Sequence, residues 1–153
     1  DIRSGTFNAP SIVSFAAAAK ESVAQINQRS EVIRKLKAEL ISTIKKGVPD
    51  IWVNGDQEKS LPGIISITFP KTDSEGLLLL LDSEGIACST GSACSAGVQR
   101  PSHVLLAMGL TEDETTSTLR FSLNHSNTII EIAKLGAVIA SVVARSRAAS
   151  GKK

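Results

Sequence analysis

The sequence predicts an α+β fold, with a small, mainly antiparallel sheet packed against long helices on one face. Three observations carry this. Apolar residues recur every three or four positions from Ile12 to Ile44, the repeat of an amphipathic helix. Short β-branched or alternating runs at 51–53, 64–69 and 119–123 read as strands. Strands and helices are mixed without the regular alternation that a parallel sheet requires. At 153 residues the chain fits a single domain, 1–153, and no repeat or clear linker divides it.

Residues 1–9 are small and polar, and Pro10 suits a first helical turn, where a missing N–H is harmless. Ile12, Phe15, Ala16, Ala19, Val23, Ile26, Ile33, Leu36, Leu40 and Ile44 then mark one or two long helices, with a gap near Arg29 and Ser30. Gly47 and Pro49 are stop signals. The strand at 51–53 leads to an Asn54-Gly55 turn, and the strand at 64–69 is bounded by Pro62-Gly63 and Pro70. Residues 74–84 form a short leucine-rich helix ended by Gly85, and 86–88 read as a short strand. Residues 89–100 are almost all small or polar, so they have little to pack and read as a mobile surface loop. Pro101 opens a short helix to Met108, and 111–117 are helical. In the next strand Leu119, Phe121 and Leu123 face inward while Arg120, Ser122 and Asn124 face out. Thr128 and Glu131 form a capping box. Ile129, Ile132, Gly136, Ile139 and Val143 mark the buried stripe of the last helix.

Composition excludes several functions. Net charge is +2 and aromatics make up 3% with no Tyr, which leaves neither a basic footprint nor a stacking platform for nucleic acid. The basic residues near the C-terminus read as a solvated helix end. The longest apolar run, Leu77 to Leu81, is too short to span a membrane. Two cysteines do not make a disulfide framework, which points to a reducing, cytoplasmic setting. No leader sequence follows Asp1, and the missing initiator Met implies processing or a piece of a longer chain.

Cys94 is the residue with the plainest covalent chemistry. Its neighbours are too small to bury it, and an exposed thiolate on a tether can attack a substrate and then reach a partner. The alternative is a surface cysteine of no consequence. Cys88, beside Ile86, reads better as a small core hydrophobe than as a resolving thiol. Cys88, Cys94, His103 and His125 do not have zinc spacing, since no Cys-x₂₋₄-Cys or His-x₃₋₅-His pair exists. His103 reads as a first-turn surface residue and His125 as a loop residue. Arg120 is either an ordinary solvent-facing charge or a strand-mounted fork for a carboxylate. Ser4 and Thr6 are either phosphate donors or turn residues.

Taken together, three blocks resemble the cysteine desulfurases, pyridoxal-phosphate enzymes of the class V aminotransferase group. Arg3-Ser4-Gly5-Thr6 with Asn8-Ala9-Pro10-Ser11-Ile12-Val13 is similar to the entry of their C-terminal domain. Residues 89–97, Ser-Thr-Gly-Ser-Ala-Cys-Ser-Ala-Gly, followed by Pro101-Ser102-His103-Val104-Leu105, are similar to their active-site loop. Leu119-Arg120-Phe121-Ser122-Leu123 resembles their substrate-binding strand. The resemblance covers essentially the whole chain, and the long loop is similar to that of the iron–sulfur-assembly branch.

The resemblance implies a fold, the C-terminal small domain of a fold-type I enzyme, and roles for three residues. Cys94 matches the nucleophile that takes sulfur from L-cysteine as a persulfide, releasing L-alanine, and can transiently ligate an iron–sulfur cluster on a scaffold. Arg120 matches the arginine that binds the substrate carboxylate. Thr6 matches a threonine that reaches a cofactor phosphate in the partner subunit of a homodimer. Asn124 stands where the family usually has Gly, and Asn tolerates left-handed backbone. The large domain with its Schiff-base lysine has no counterpart here, so the isolated chain is expected to be inactive. A stand-alone sulfur-carrier or scaffold-docking module, and a selenocysteine lyase, are the competing readings.

Overall fold

The computed structural model describes residues 5–90 and 101–151. Its elements run α1 (Ala9–Gly47), β1 (Trp52–Val53), β2 (Ile64–Thr68), α2 (Ser74–Ser83), β3 (Ser89–Thr90), α3 (His103–Ala107), α4 (Glu112–Thr115), β4 (Thr118–Ser122) and α5 (Ile129–Ser150). The predicted α+β class holds. The four strands lie in the order β1-β2-β4-β3, and every neighbouring pair is antiparallel.

α1 is one uninterrupted helix. The Asn8 side chain accepts from Ser11 N at 3.3 Å, Pro10 lies in the first turn, and Lys45 and Lys46 close the last turn, where the helix dipole favours cations. The sequence gap at Arg29 does not break it. Arg29 Nε donates to Gln25 Oε1 at 2.9 Å and Arg29 Nη2 reaches Glu21 Oε1 at 3.4 Å, a polar ladder along one helix face. The core forms where α1 (Leu36, Leu40, Ile44), α2 (Leu77, Leu81) and α5 (Ile132, Leu135, Ile139) meet the inner sheet residues Ile65, Ile67, Leu119 and Phe121. α1 and α5 run side by side in the same direction, with Gly136 against Thr43 and Ile139 against Gly47.

The first half of α1 does not join this core. Ile12, Phe15, Val23 and Ile26 continue the stripe that Leu40 and Ile44 bury, yet Phe15 is 76% and Val23 71% exposed. Ile129, expected in the buried stripe of the last helix, is also exposed. It sits in the first turn of α5, before the helix reaches its packing partners.

Other details differ from the sequence reading. The strand expected at 86–88 falls at Ser89–Thr90 instead. Ile86 N donates to Leu81 O and Gly85 N to Asp82 O, so these amides close the end of α2 rather than pairing in the sheet. The segment read as a loop from Ser89 to Arg100 therefore begins as a strand, and residues 91–100 of it lie outside the described residues. Pro101 precedes the helix it was expected to open, because Ser102 is the cap. Arg147, read as solvated, donates from Nη2 to Asp50 Oδ2 at 2.7 Å and from Nε to Pro70 O at 3.0 Å. Asn124 does not adopt left-handed backbone. Its side chain accepts instead from Ser126 N at 2.7 Å, an Asx turn that leads the chain into α5.

Candidate functional site

The outward face of the sheet carries a row of polar side chains set by register. Ser66 on β2 and Ser89 on β3 both pair directly with Arg120 on β4, so all three point the same way. Arg120 Nη2 donates to Ser89 Oγ at 3.4 Å. Asn54 extends the row: its Nδ2 donates to Ser66 Oγ at 3.1 Å and to Thr68 Oγ1 at 2.9 Å. Thr68 in turn meets Thr118 at 2.8 Å. Among the described residues no carboxylate lies within ion-pairing reach of Arg120. A guanidinium on an ordered strand, unpaired and with most of its donors unused among the described residues, is suited to receive an external carboxylate.

Beside Arg120 a half-open cavity of about 360 Å³ lies between the outer sheet face, α3 and the 54–61 connection. The two walls meet where Met108 approaches Gly55, whose φ of +80° requires glycine.

Cys88 lies six residues before Cys94 and is half-buried against the core. Burial first, and the Asp82 carboxylate second, push its thiol up to about 11 from the usual 9.0. It is therefore a protonated thiol at neutral pH and a poor nucleophile. Cys94 lies outside the described residues, and so does Ser4. Thr6 is exposed just before α1. The structure does not bring it near Arg120. Ala9 and Ile33 are about 36 Å apart along the helix axis. Ile33 lies over Gly63, which pairs with Leu123, about 10 Å along the chain from Arg120. The helix end that carries Thr6 thus stands away from the guanidinium, farther than a hydrogen bond reaches.

His103 and His125 are both exposed, at the start of α3 and in the turn before α5. Among the described residues no three His, Cys, Asp or Glu side chains could share a metal ion. The residues present also do not fit a pyridoxal phosphate cradle. Among the described residues the lining of the Arg120 cavity includes no lysine. A second cavity, whose lining includes Lys134, is remote from Thr6 and also holds Glu131.

Sequence reasoning missed Ser66, Ser89 and Asn54, whose place in the row depends on strand register alone. It also missed Lys37, which the spacing does betray. Lys37 falls between Ile33 and Leu40 on the apolar seam of α1. Its stem is buried while its Nζ reaches Ser60 Oγ at 2.9 Å, and burial lowers its pKa.

Known proteins agree with this architecture. The chain is 40% identical over 151 residues to an IscS-like cysteine desulfurase of Mycobacterium tuberculosis (strain ATCC 25618 / H37Rv), covering 98% of this chain and 38% of that protein. It is 36% identical to cysteine desulfurase IscS 1 of Archaeoglobus fulgidus, covering 97% of this chain and 39% of the relative. The chain thus spans well under half the length of these curated relatives. A solved NifS-like protein superposes with a TM-score of 0.78 at 29% identity, over 94% of this chain and 35% of its own. The NifS-like protein of Rickettsia africae ESF-5 superposes with a TM-score of 0.75 at 31% identity, over 92% of this chain and 36% of its own. No described helix is long and apolar enough to cross a membrane. The aminotransferase class-V family model matches residues 1–135, most of the chain, and to that family the chain belongs.

Proposed function

We propose that the chain is the C-terminal, sulfur-delivering domain of a cytoplasmic cysteine desulfurase, whose large cofactor-binding domain lies outside these residues. The observation that carries this reading is the Arg120 guanidinium, which has no carboxylate partner among the described residues. It is hydrogen-bonded to Ser89, the start of the segment that leads to Cys94. Arg120 receives the α-carboxylate of L-cysteine through paired charge-assisted bonds. Cys94, having given up its thiol proton, attacks the substrate sulfur as a thiolate, an S–S bond forms, the substrate C–S bond breaks with its electron pair left on Cβ, and a proton taken up there gives L-alanine, which leaves. The persulfide then passes to an acceptor such as an iron–sulfur scaffold protein, on which Cys94 can transiently ligate the cluster. Pyridoxal phosphate supplies the electron sink for bond cleavage when bound in the complete enzyme. The separation of Thr6 from Arg120 supports the assignment of Thr6 to the phosphate site of the partner subunit in a homodimer.

The test is a single turnover. The 153-residue chain with pyridoxal phosphate and cysteine should yield no alanine, whereas a full-length enzyme carrying this domain should yield alanine and add one sulfur to the Cys94 peptide. Turnover by the chain alone would overturn the division of labour. A persulfide accepted from outside without any parent enzyme would favour a stand-alone sulfur carrier. Preference for selenocysteine would make the parent a selenocysteine lyase.

A further inference from the structure

We propose that the sheet edge beside Ser122 is a docking site for the C-terminus of a partner polypeptide, an extended segment that ends in an apolar residue with a free carboxylate. The inference stands apart from the desulfurase reading and from Arg120.

It starts from a gap in the sheet. Leu123 N donates to Gly63 O, and Asn54 N donates to Ser66 O. Phe121 and Leu123 therefore turn their backbone groups toward β2, while Arg120 and Ser122 turn theirs away from it. On that side Arg120 meets Ser89, but the pairing goes no further toward Gly85. Gly85 N and Ile86 N are engaged by Asp82 O and Leu81 O at the end of α2. The N–H and C=O of Ser122 are left without a backbone partner among the described residues. Such a donor–acceptor pair on a strand edge is what an extended peptide recognises.

A half-open cavity of about 420 Å³ lies against this edge, between Ala87 and Ser122. Its floor is the core itself, formed by Leu40 of α1, Phe121 of β4 and Ile132 and Leu135 of α5, all buried. Alternate side chains of an extended peptide point to opposite faces, so the residue next to the one paired with Ser122 drops its side chain onto that floor. β3 ends at Thr90 opposite Leu119, about 10 Å along β4 from Ser122. The cavity thus lies at the end of the strand pair where the chain is described throughout.

Charge fixes which part of a peptide fits. Lys134 also lines the cavity, and its ammonium lies over Gly85, 2.9 Å from where a Cβ on that glycine would sit. Among the described residues it has no ion pair or hydrogen bond. The other charge in the described lining, Glu131, has its Oε2 taken by Thr128 N at 2.7 Å and Asn127 Nδ2 at 3.3 Å. An uncommitted cation beside an apolar hole and an open strand edge matches a chain terminus. The carboxylate meets Lys134, the last side chain fills the cavity and the last amide pairs with Ser122.

Acetyl-Gly-Ala-Val-Leu, titrated into the 153-residue chain and followed by amide NMR shifts, should bind with shifts centred on Ser122, Leu123 and Lys134. Ending the peptide in Ser should weaken it at least tenfold, because the buried apolar side chain is lost. N-methylating the last amide should weaken it roughly two- to tenfold, the scale of one hydrogen bond. Amidating the terminus should cost roughly threefold, the scale of an exposed ion pair. Lys134→Gln, at an exposed position, should erase the difference between acid and amide and leave the amide's affinity unchanged. Arg120→Ala should change nothing.

An acid preference that survives Lys134→Gln, or one that disappears in Arg120→Ala, would overturn the site. Free leucine binding as tightly as the peptide would overturn it in favour of an amino-acid pocket. Shifts confined to the exposed half of α1, or no saturable shift at millimolar peptide, would overturn it as well.

Discussion

At Cys88 burial and the Asp82 carboxylate act in the same direction, so the thiol stays protonated well past neutrality. An unfolded chain ionises this group near 9.0 and the folded chain near 11. Its contribution to stability is therefore complete below about 9 and is lost as pH rises through about 11. Iodoacetamide at pH 7 should spare Cys88 in the native chain and modify it in denaturant, read by peptide mass. In a full-length parent, Cys94→Ser should abolish the persulfide and Cys88→Ser should keep it. Lys37 has the opposite sign, since burial lowers its pKa and penalises the charged form. That penalty is full below the lowered pKa and fades as pH climbs toward the ordinary 10.5. Urea unfolding of Lys37→Met and the parent should show the balance moving toward the parent between neutral pH and 10.5. For Arg120→Ala in the full-length enzyme, loss of a charge-assisted carboxylate contact is worth about 1.5–3 kcal/mol, or roughly ten- to a hundredfold in cysteine affinity. An unchanged Kd would return Arg120 to the role of a plain surface charge.

Among the elements, contact between α1 and α5 depends on an absence. A Cβ on Gly136 would collide with the Thr43 side chain, a β-branched group with few χ1 rotamers to move into. Gly136→Ala should cost about 1–3 kcal/mol in urea unfolding, and Thr43→Ser in the same chain should recover part of it. Thr128→Ala removes a full capping box, in which Glu131 Oε2 accepts from Thr128 N at 2.7 Å, and should cost about 1 kcal/mol. The sequence displayed this box, the stop at Gly47, and the alternation of Leu119, Arg120 and Phe121, because each follows from local spacing. It did not display the pairing of Ser66 and Ser89 with Arg120, which needs strand register. Nor did it display the bond from Arg147 to Asp50, which joins positions far apart along the chain. The 86–88 strand failed for a physical reason, since the glycine that ends α2 claims the next amide for its own cap.

Over the whole molecule, burial divides α1 into two unequal halves. Leu40→Ala, in the core, should lower stability by about 2–5 kcal/mol. Val23→Ser, on the exposed stretch of the same stripe, should change it by no more than about 0.5 kcal/mol. Equal losses at the two sites would mean that the outer half is covered in solution.

The long helix also has a mechanical consequence. From Leu36, where packing begins, to Ala9 the axis runs about 40 Å. It is a lever with its fulcrum in the core, and a tilt of about 5° at the base sweeps the tip through about 3.5 Å. A hydrogen bond fails over a smaller displacement than that. On the proposal that Thr6 reaches a phosphate in a partner subunit, packing at the fulcrum alone cannot aim its hydroxyl, and the receiving surface must clamp the tip directly.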